Sequence, residues 1–88
     1  MPIWHVKISQ EAEKELKNLD DFDRTRIIEK LEWIGKNFDS ITPIALGADW
    51  RGFYKFRIGD YRVIYKIDWD EKVIFVVAIG HRSKIYKN

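Results

Sequence analysis

Trp4, Val6 and Ile8 alternate with His5 and Lys7, so Ile3–Ile8 has the period-two pattern of a short strand. Ser9 follows in the position of a helix N-cap. Glu11 and Glu13 fall in the first turn, where acidic groups meet the positive end of the helix dipole. Ala12, Leu16 and Leu19 recur at +4 and +3 as one apolar stripe. Asn18 to Asp21 interrupts the run, and Asp20 or Asp21 can cap a second helix. In that helix Ile27, Leu31, Ile34 and Phe38 recur at +4, +3 and +4. The two stripes predict an antiparallel helical hairpin covering one face of a sheet. Between Asp39 and Gly52 the periodicity dissolves, and Ser40, Thr42, Pro43, Gly47 and Gly52 predict a loop. Three strand-like runs follow: Phe53–Ile58, Tyr61–Asp68 and Lys72–Ile79. Gly59-Asp60 joins the first two as a two-residue hairpin turn with glycine first, and Trp69-Asp70-Glu71 joins the last two. The order β-α-α-β-β-β predicts an α+β fold. It has an N-terminal strand, an antiparallel helical hairpin and a three-strand antiparallel meander, with the helices on one face of the sheet.

The hairpin turn fixes a register. With Gly59-Asp60 as the whole loop, Ile58 faces Tyr61, Arg57 faces Arg62 and Lys55 faces Ile64. Cross-strand partners share a face and side chains alternate along a strand. Lys55, Arg57, Arg62 and Lys66 therefore share one face. Tyr54, Phe56, Ile58, Tyr61, Val63, Tyr65 and Ile67 share the other, which is apolar enough to take the helices. Like charges directly opposite each other destabilise a sheet. A phosphate bound between Arg57 and Arg62 would remove that repulsion. The end of the third meander strand should return beside the start of Tyr61–Asp68. That brings His81, Arg82 and Lys84 near Arg62, with Tyr86 within reach.

Charge distribution supports the same half of the chain. Residues 1–50 carry 7 basic and 10 acidic side chains, a balance of −3, and residues 51–88 carry 9 and 4, a balance of +5. A basic half suits a polyanionic partner. With 88 residues the chain is read as one domain, 1–88, and 45% hydrophobic residues suffice for a core. There is no cysteine, which excludes disulfides and thiolate metal sites and fits a reducing, cytoplasmic setting. The N-terminus lacks the pattern of an export signal, and no apolar run approaches the roughly 20 residues that span a bilayer. The longest such run, Val73 to Gly80, fits a buried strand. The four tryptophans read as core and loop packing, Trp50 least clearly, and His5 is given no role.

Two segments carry a resemblance. Gly-Asp-Tyr-Arg-Val-Ile-Tyr at 59–65, and Gly-His-Arg at 80–82 followed by Tyr86, are similar in order and spacing to the RelE/ParE superfamily of bacterial and archaeal toxins, on its RelE-like branch. The likeness spans nearly the whole chain. It implies a toxin of a toxin–antitoxin pair that cleaves mRNA in the ribosomal decoding site, without a metal or other cofactor. Its partners would be a cognate antitoxin and ribosome-bound mRNA, with no membrane. ParE-like members share the fold but poison DNA gyrase; a degenerate toxin would bind RNA without cutting it.

The implied reaction uses the RNA 2′-hydroxyl as nucleophile. It attacks the adjacent phosphorus and expels the 5′-oxygen of the next nucleotide. Such a site needs a proton acceptor, charge stabilisation on the phosphorane and a proton donor. Arg57 and Arg62 are the expected phosphate grip, with Lys55 contributing charge or acting as base. Arg82 would neutralise the leaving oxygen, and Tyr86 or His81 would shuttle protons or stack on a base. Lys66 and Lys84 are expected to bind RNA. The sequence departs from the family at two places. Arg57 stands where some members have lysine, and arginine cannot deprotonate to act as a base. His81 stands where others have a basic or small residue.

Overall fold

The computed structural model describes residues 3–47 and 50–83. In chain order the elements are β1 (His5–Ile8), α1 (Gln10–Lys17), α2 (Asp21–Asn37), a 3₁₀ turn (Phe38–Ser40), β2 (Ile44–Ala45), β3 (Tyr54–Ile58), β4 (Tyr61–Asp68) and β5 (Val73–His81). The strands form one five-stranded mixed sheet in the order β1-β5-β4-β3-β2. β1 runs parallel to β5 and the other pairs are antiparallel.

The local signals explain the helices. The Ser9 hydroxyl accepts from the Ala12 N–H at 3.1 Å, and Asp20, rather than Asp21, accepts from the Asp23 N–H at 2.9 Å. Each cap satisfies a donor that the first helical turn leaves without a backbone acceptor. Ala12 and Leu16 from α1 and Ile27, Leu31 and Ile34 from α2 are buried with Phe38. They pack in one core with sheet residues that include Ile58, Val63, Tyr65, Ile74, Val76 and Ile79. The helices thus cover a single face of the sheet, as the two apolar stripes require.

Two features of 39–52 differ from the expected loop. A 3₁₀ turn continues α2, and Ile44–Ala45 adds an edge strand paired with Lys55 and Tyr54. Two residues are too few to leave a periodic signal. The tryptophans meet the expectation of core and loop packing in part, with Trp69 against Trp4 and Trp50 against Phe53. Trp4 is buried, its Nε1–H donating to Asp39 at 2.9 Å, but Trp33, Trp50 and Trp69 are all exposed.

The β3–β4 register is the expected one, from Ile58 opposite Tyr61 to Tyr54 opposite Tyr65. Gly59 has φ +60° at the first turn position, the conformation that a glycine-first hairpin turn demands. A Cβ there would also fall 1.5 Å from Nη2 of Arg26 on α2, a flexible side-chain end that can move aside, so the backbone conformation is what requires glycine.

β5 holds the main departure from a regular meander. Its pairing with β4 shifts by one residue between Ile64 and Tyr65: Ile64 faces Ala78, but Tyr65 faces Val76. The extra residue is a β-bulge, which resets the alternation. Ile74 and Val76 before it and Ile79 after it all reach the core. The bulge begins where the β1 pairing ends at Val76, and α1 takes over the hydrogen bonding. Ser9 Oγ donates to the Val77 carbonyl at 3.2 Å, and Glu15 Oε1 accepts from the Ile79 N–H at 3.0 Å. Among the described residues, no helix is long and apolar enough to cross a membrane.

Candidate nucleic-acid interface

The face of the sheet opposite the helices carries the cations. Arg57 and Arg62 are directly opposed across β3 and β4, and Lys55 lies opposite Ile64 on the same face. Ile44, which β2 sets beside Lys55, closes one side. Ile44, Lys55, Arg57 and Arg62 line a pocket of about 350 Å³. The sequence did not point to Ile44, because its place depends on the two-residue strand.

Arg62 is only 8% exposed, the one buried charged residue among those described. Among the described residues its guanidinium makes a single hydrogen bond, a long one of 3.4 Å from Nη1 to the Tyr61 carbonyl. Neither Arg62 nor Arg57 has a carboxylate of the described residues within ion-pair distance. Guanidinium offers five N–H donors. Withdrawing such a group from water without a counter-charge is costly. An anion in the pocket would supply both acceptors and charge.

Beyond the pocket, the remaining expected site residues separate. Lys66 lies on the same face but four residues along β4, opposite Phe75, with its Nζ 5.4 Å from the centre of the Phe53 ring. The Arg82 N–H donates to the Asp60 carbonyl at 2.9 Å, so pairing continues one residue past β5 beside the hairpin turn. Gly80 faces Arg62, and alternation from Gly80 puts Arg82 on that same side.

His81 does not join Arg62. It pairs with Tyr61, and cross-strand partners share a face, so it sits on the helix side. Its ring meets Tyr61 edge-on at 5.6 Å, and its Nδ1 lies 2.9 Å from the Ser83 hydroxyl. The Tyr61 phenol donates to Asp23 of α2 at 3.1 Å. Partial burial and, after it, that hydrogen bond raise the Tyr61 pKa above the ordinary phenol value. The expected neighbourhood of His81 and Arg62 holds along the chain but fails across the sheet. Lys84 and Tyr86 lie outside the described residues.

Comparison with known proteins places this architecture. Over 91 residues, covering 97% of both chains, the protein is 31% identical to the RelE1 protein of Methanocaldococcus jannaschii. The archaeal RelE–RelB complex of Pyrococcus horikoshii superposes with a TM-score of 0.74 at 28% identity, over 94% of this chain and 99% of that one. The RelBE2 toxin–antitoxin complex of Mycobacterium tuberculosis superposes with a TM-score of 0.83 over 96% and 97%, and at 20% identity it supports the fold alone. The model of the ParE toxin of type II toxin–antitoxin systems matches residues 6–86. The chain belongs to that family, within the RelE/ParE superfamily: it is a toxin of a toxin–antitoxin system with a RelE-like fold.

Proposed function

We propose that this toxin is an endoribonuclease that cuts mRNA in the ribosomal decoding site by 2′-hydroxyl attack, and that a cognate antitoxin neutralises it. One observation carries the reading: Arg62, buried and without a carboxylate partner among the described residues, opposes Arg57 in one pocket with Lys55. The two guanidinium groups hold the non-bridging oxygens of the scissile phosphate. As the 2′-oxygen bonds to phosphorus, negative charge builds on those oxygens, and fixed cations stabilise that state more than the starting diester. The bond to the 5′-oxygen then breaks, leaving a 2′,3′-cyclic phosphate and a 5′-hydroxyl. Arg82, beside the hairpin turn, is the cation for the departing oxygen, and Lys55 adds charge at the pocket wall. His81 lies on the helix side against Tyr61, and proton transfer falls to Lys55 or Tyr86. The RelB-bound relatives support an antitoxin partner.

Primer extension on mRNA from a coupled translation reaction tests the proposal. Wild type should produce new 5′ ends within translated frames. Arg62→Ala should reduce them roughly 10²- to 10³-fold, the range for losing one preorganised donor at developing charge, and Arg82→Ala should also reduce them. Equal cutting of naked RNA would remove the ribosome from the reading. The match to the ParE model favours a second reading, inhibition of DNA gyrase on the same fold. That reading predicts loss of supercoiling activity with mRNA left intact.

A further inference from the structure

The open face holds a second group of side chains that the cleavage chemistry does not use. Phe53 immediately precedes β3, and extending the register of that hairpin by one pair sets it opposite Lys66. Lys66 in turn faces Phe75, and Phe75 faces Lys7 of β1. One row across the sheet therefore alternates aromatic and cationic groups: Phe53, Lys66, Phe75, Lys7. Trp50 joins it from the loop, its ring edge-on to Phe53 at 5.7 Å. Backbone hydrogen bonds fix that loop, from Trp50 N–H to the Gly47 carbonyl and from Phe53 N–H to the Trp50 carbonyl, both at 3.1 Å. Trp50 is 45% exposed and Phe75 39%, on a face that the helices do not cover.

Large exposed aromatics beside cations bind single-stranded nucleic acid, because bases stack on the rings while the cations follow the backbone. An apolar protein surface would not need the interleaved lysines. We propose that Trp50, Phe53 and Phe75, around Lys66, form a stacking platform for unpaired bases of the RNA strand whose phosphate is gripped by Arg57 and Arg62. The inference rests on the endoribonuclease reading. Phe53 and Arg57 are four residues apart on one strand, roughly 13 Å, so the two subsites hold neighbouring parts of one strand rather than one nucleotide. Asp68 and Asp70 border the groove beyond Lys66 and Phe75. They repel phosphates there and direct the strand toward Trp50.

The test uses the full chain and a short fluorescent single-stranded oligonucleotide with 2′-O-methyl riboses, which lack the nucleophile. Trp50→Ala should weaken binding roughly five- to hundredfold, the range for one stacked base, while the dependence of affinity on salt stays unchanged. Lys66→Ala should instead lower the slope of log K against log salt by about 0.7, one phosphate contact to a single strand. Wild type should bind an oligonucleotide with abasic positions about as weakly as Trp50→Ala binds the intact one, a comparison that needs no variant to fold. Equal affinity for intact and abasic strands, or binding of duplex as tight as of single strand, would overturn the platform while leaving the phosphate grip standing. If Trp50→Ala spares RNA binding and loosens an antitoxin complex, the surface is a protein interface and the proposal fails. Wild type that binds no single strand even at low salt would likewise overturn the platform, while the endoribonuclease reading stands or falls separately on the primer-extension assay.

Discussion

The two faces of this sheet follow opposite rules. On the helix side, Val63, Tyr65, Ile74, Val76 and Ile79 are buried in the apolar core, and the Tyr61 phenol is paired with Asp23. On the other side, two arginines oppose each other and neither has a carboxylate among the described residues. The first face is organised for stability. The second tolerates repulsion that folding alone would not favour, in keeping with the phosphate grip proposed for Arg57 and Arg62. A sheet of this size can afford the second face because the first closes a complete core.

The contrast can be broken by substitution. On the helix face, Leu31→Ala removes a buried side chain and should cost about 2–5 kcal/mol in urea unfolding; a much smaller loss would mean that the core is looser than described. Next in size is Glu15→Ala, which strips the acceptor from the Ile79 N–H. Leaving that donor unpaired should cost about 1–3 kcal/mol, with hydrogen exchange at Ile79 accelerated more than at Val63.

Tyr65 is the exception on the helix side, since its hydroxyl is buried and has no hydrogen-bond partner among the described residues. Tyr65→Phe should therefore raise stability by about 1 kcal/mol. Burial, with a smaller contribution from Tyr54, raises the Tyr65 pKa well above the ordinary phenol value. In the unfolded chain the phenol ionises near pH 10. Above that pH the unfolded state has lost a proton that the folded state still holds. Stability should then fall with rising pH, by at most about 1.4 kcal/mol per pH unit from this one group. In Tyr65→Phe that part of the alkaline decline should vanish, and an unchanged profile from pH 9 to 12 would refute the assignment.

The smallest effect falls on the open face and has the opposite sign to a core mutation. Arg57→Glu turns a repulsive cross-strand pair into an attractive one and should gain about 0.2–1 kcal/mol in stability, while RNA binding is lost. A variant that loses both would show that Arg57 serves the fold.

How much of this was legible in the sequence follows from the range of each interaction. Caps, helical stripes and the β3–β4 register are set by neighbours a few residues apart, so Ser9, Asp20 and Gly59-Asp60 announced them. The register then gave the Arg57–Arg62 pair by counting. β2 was not legible, because Ile44 and Ala45 become a strand only by pairing with β3. The bulge in β5 was also hidden. It is held by Ser9 and Glu15, more than sixty residues away in sequence, and nothing in Val73 to Gly80 marks it. The expectation brought His81 to Arg62 by nearness alone, and the alternation past the bulge sets it on the other face. Phe53 could have been found by extending the same register one more pair to Lys66; Trp50 could not, because it reaches Phe53 from the loop.

The bulge also makes the chain sensitive to parity. From Ala78 to Arg82, each side chain is assigned to its face by one surplus residue, and the assignment is binary. Closing the bulge with the chain length unchanged would turn Ile79 to solvent and bring Arg82 to the helix side. Deleting Val77 would not: Ala78 would then follow Val76 in a regular ladder, with Ile79 still opposite Val63 and Gly80 still opposite Arg62. β5 therefore carries a spare residue, so that a loss of one is absorbed in the ladder while a gain of one after Val77 exchanges inside for outside unless a second bulge takes it up.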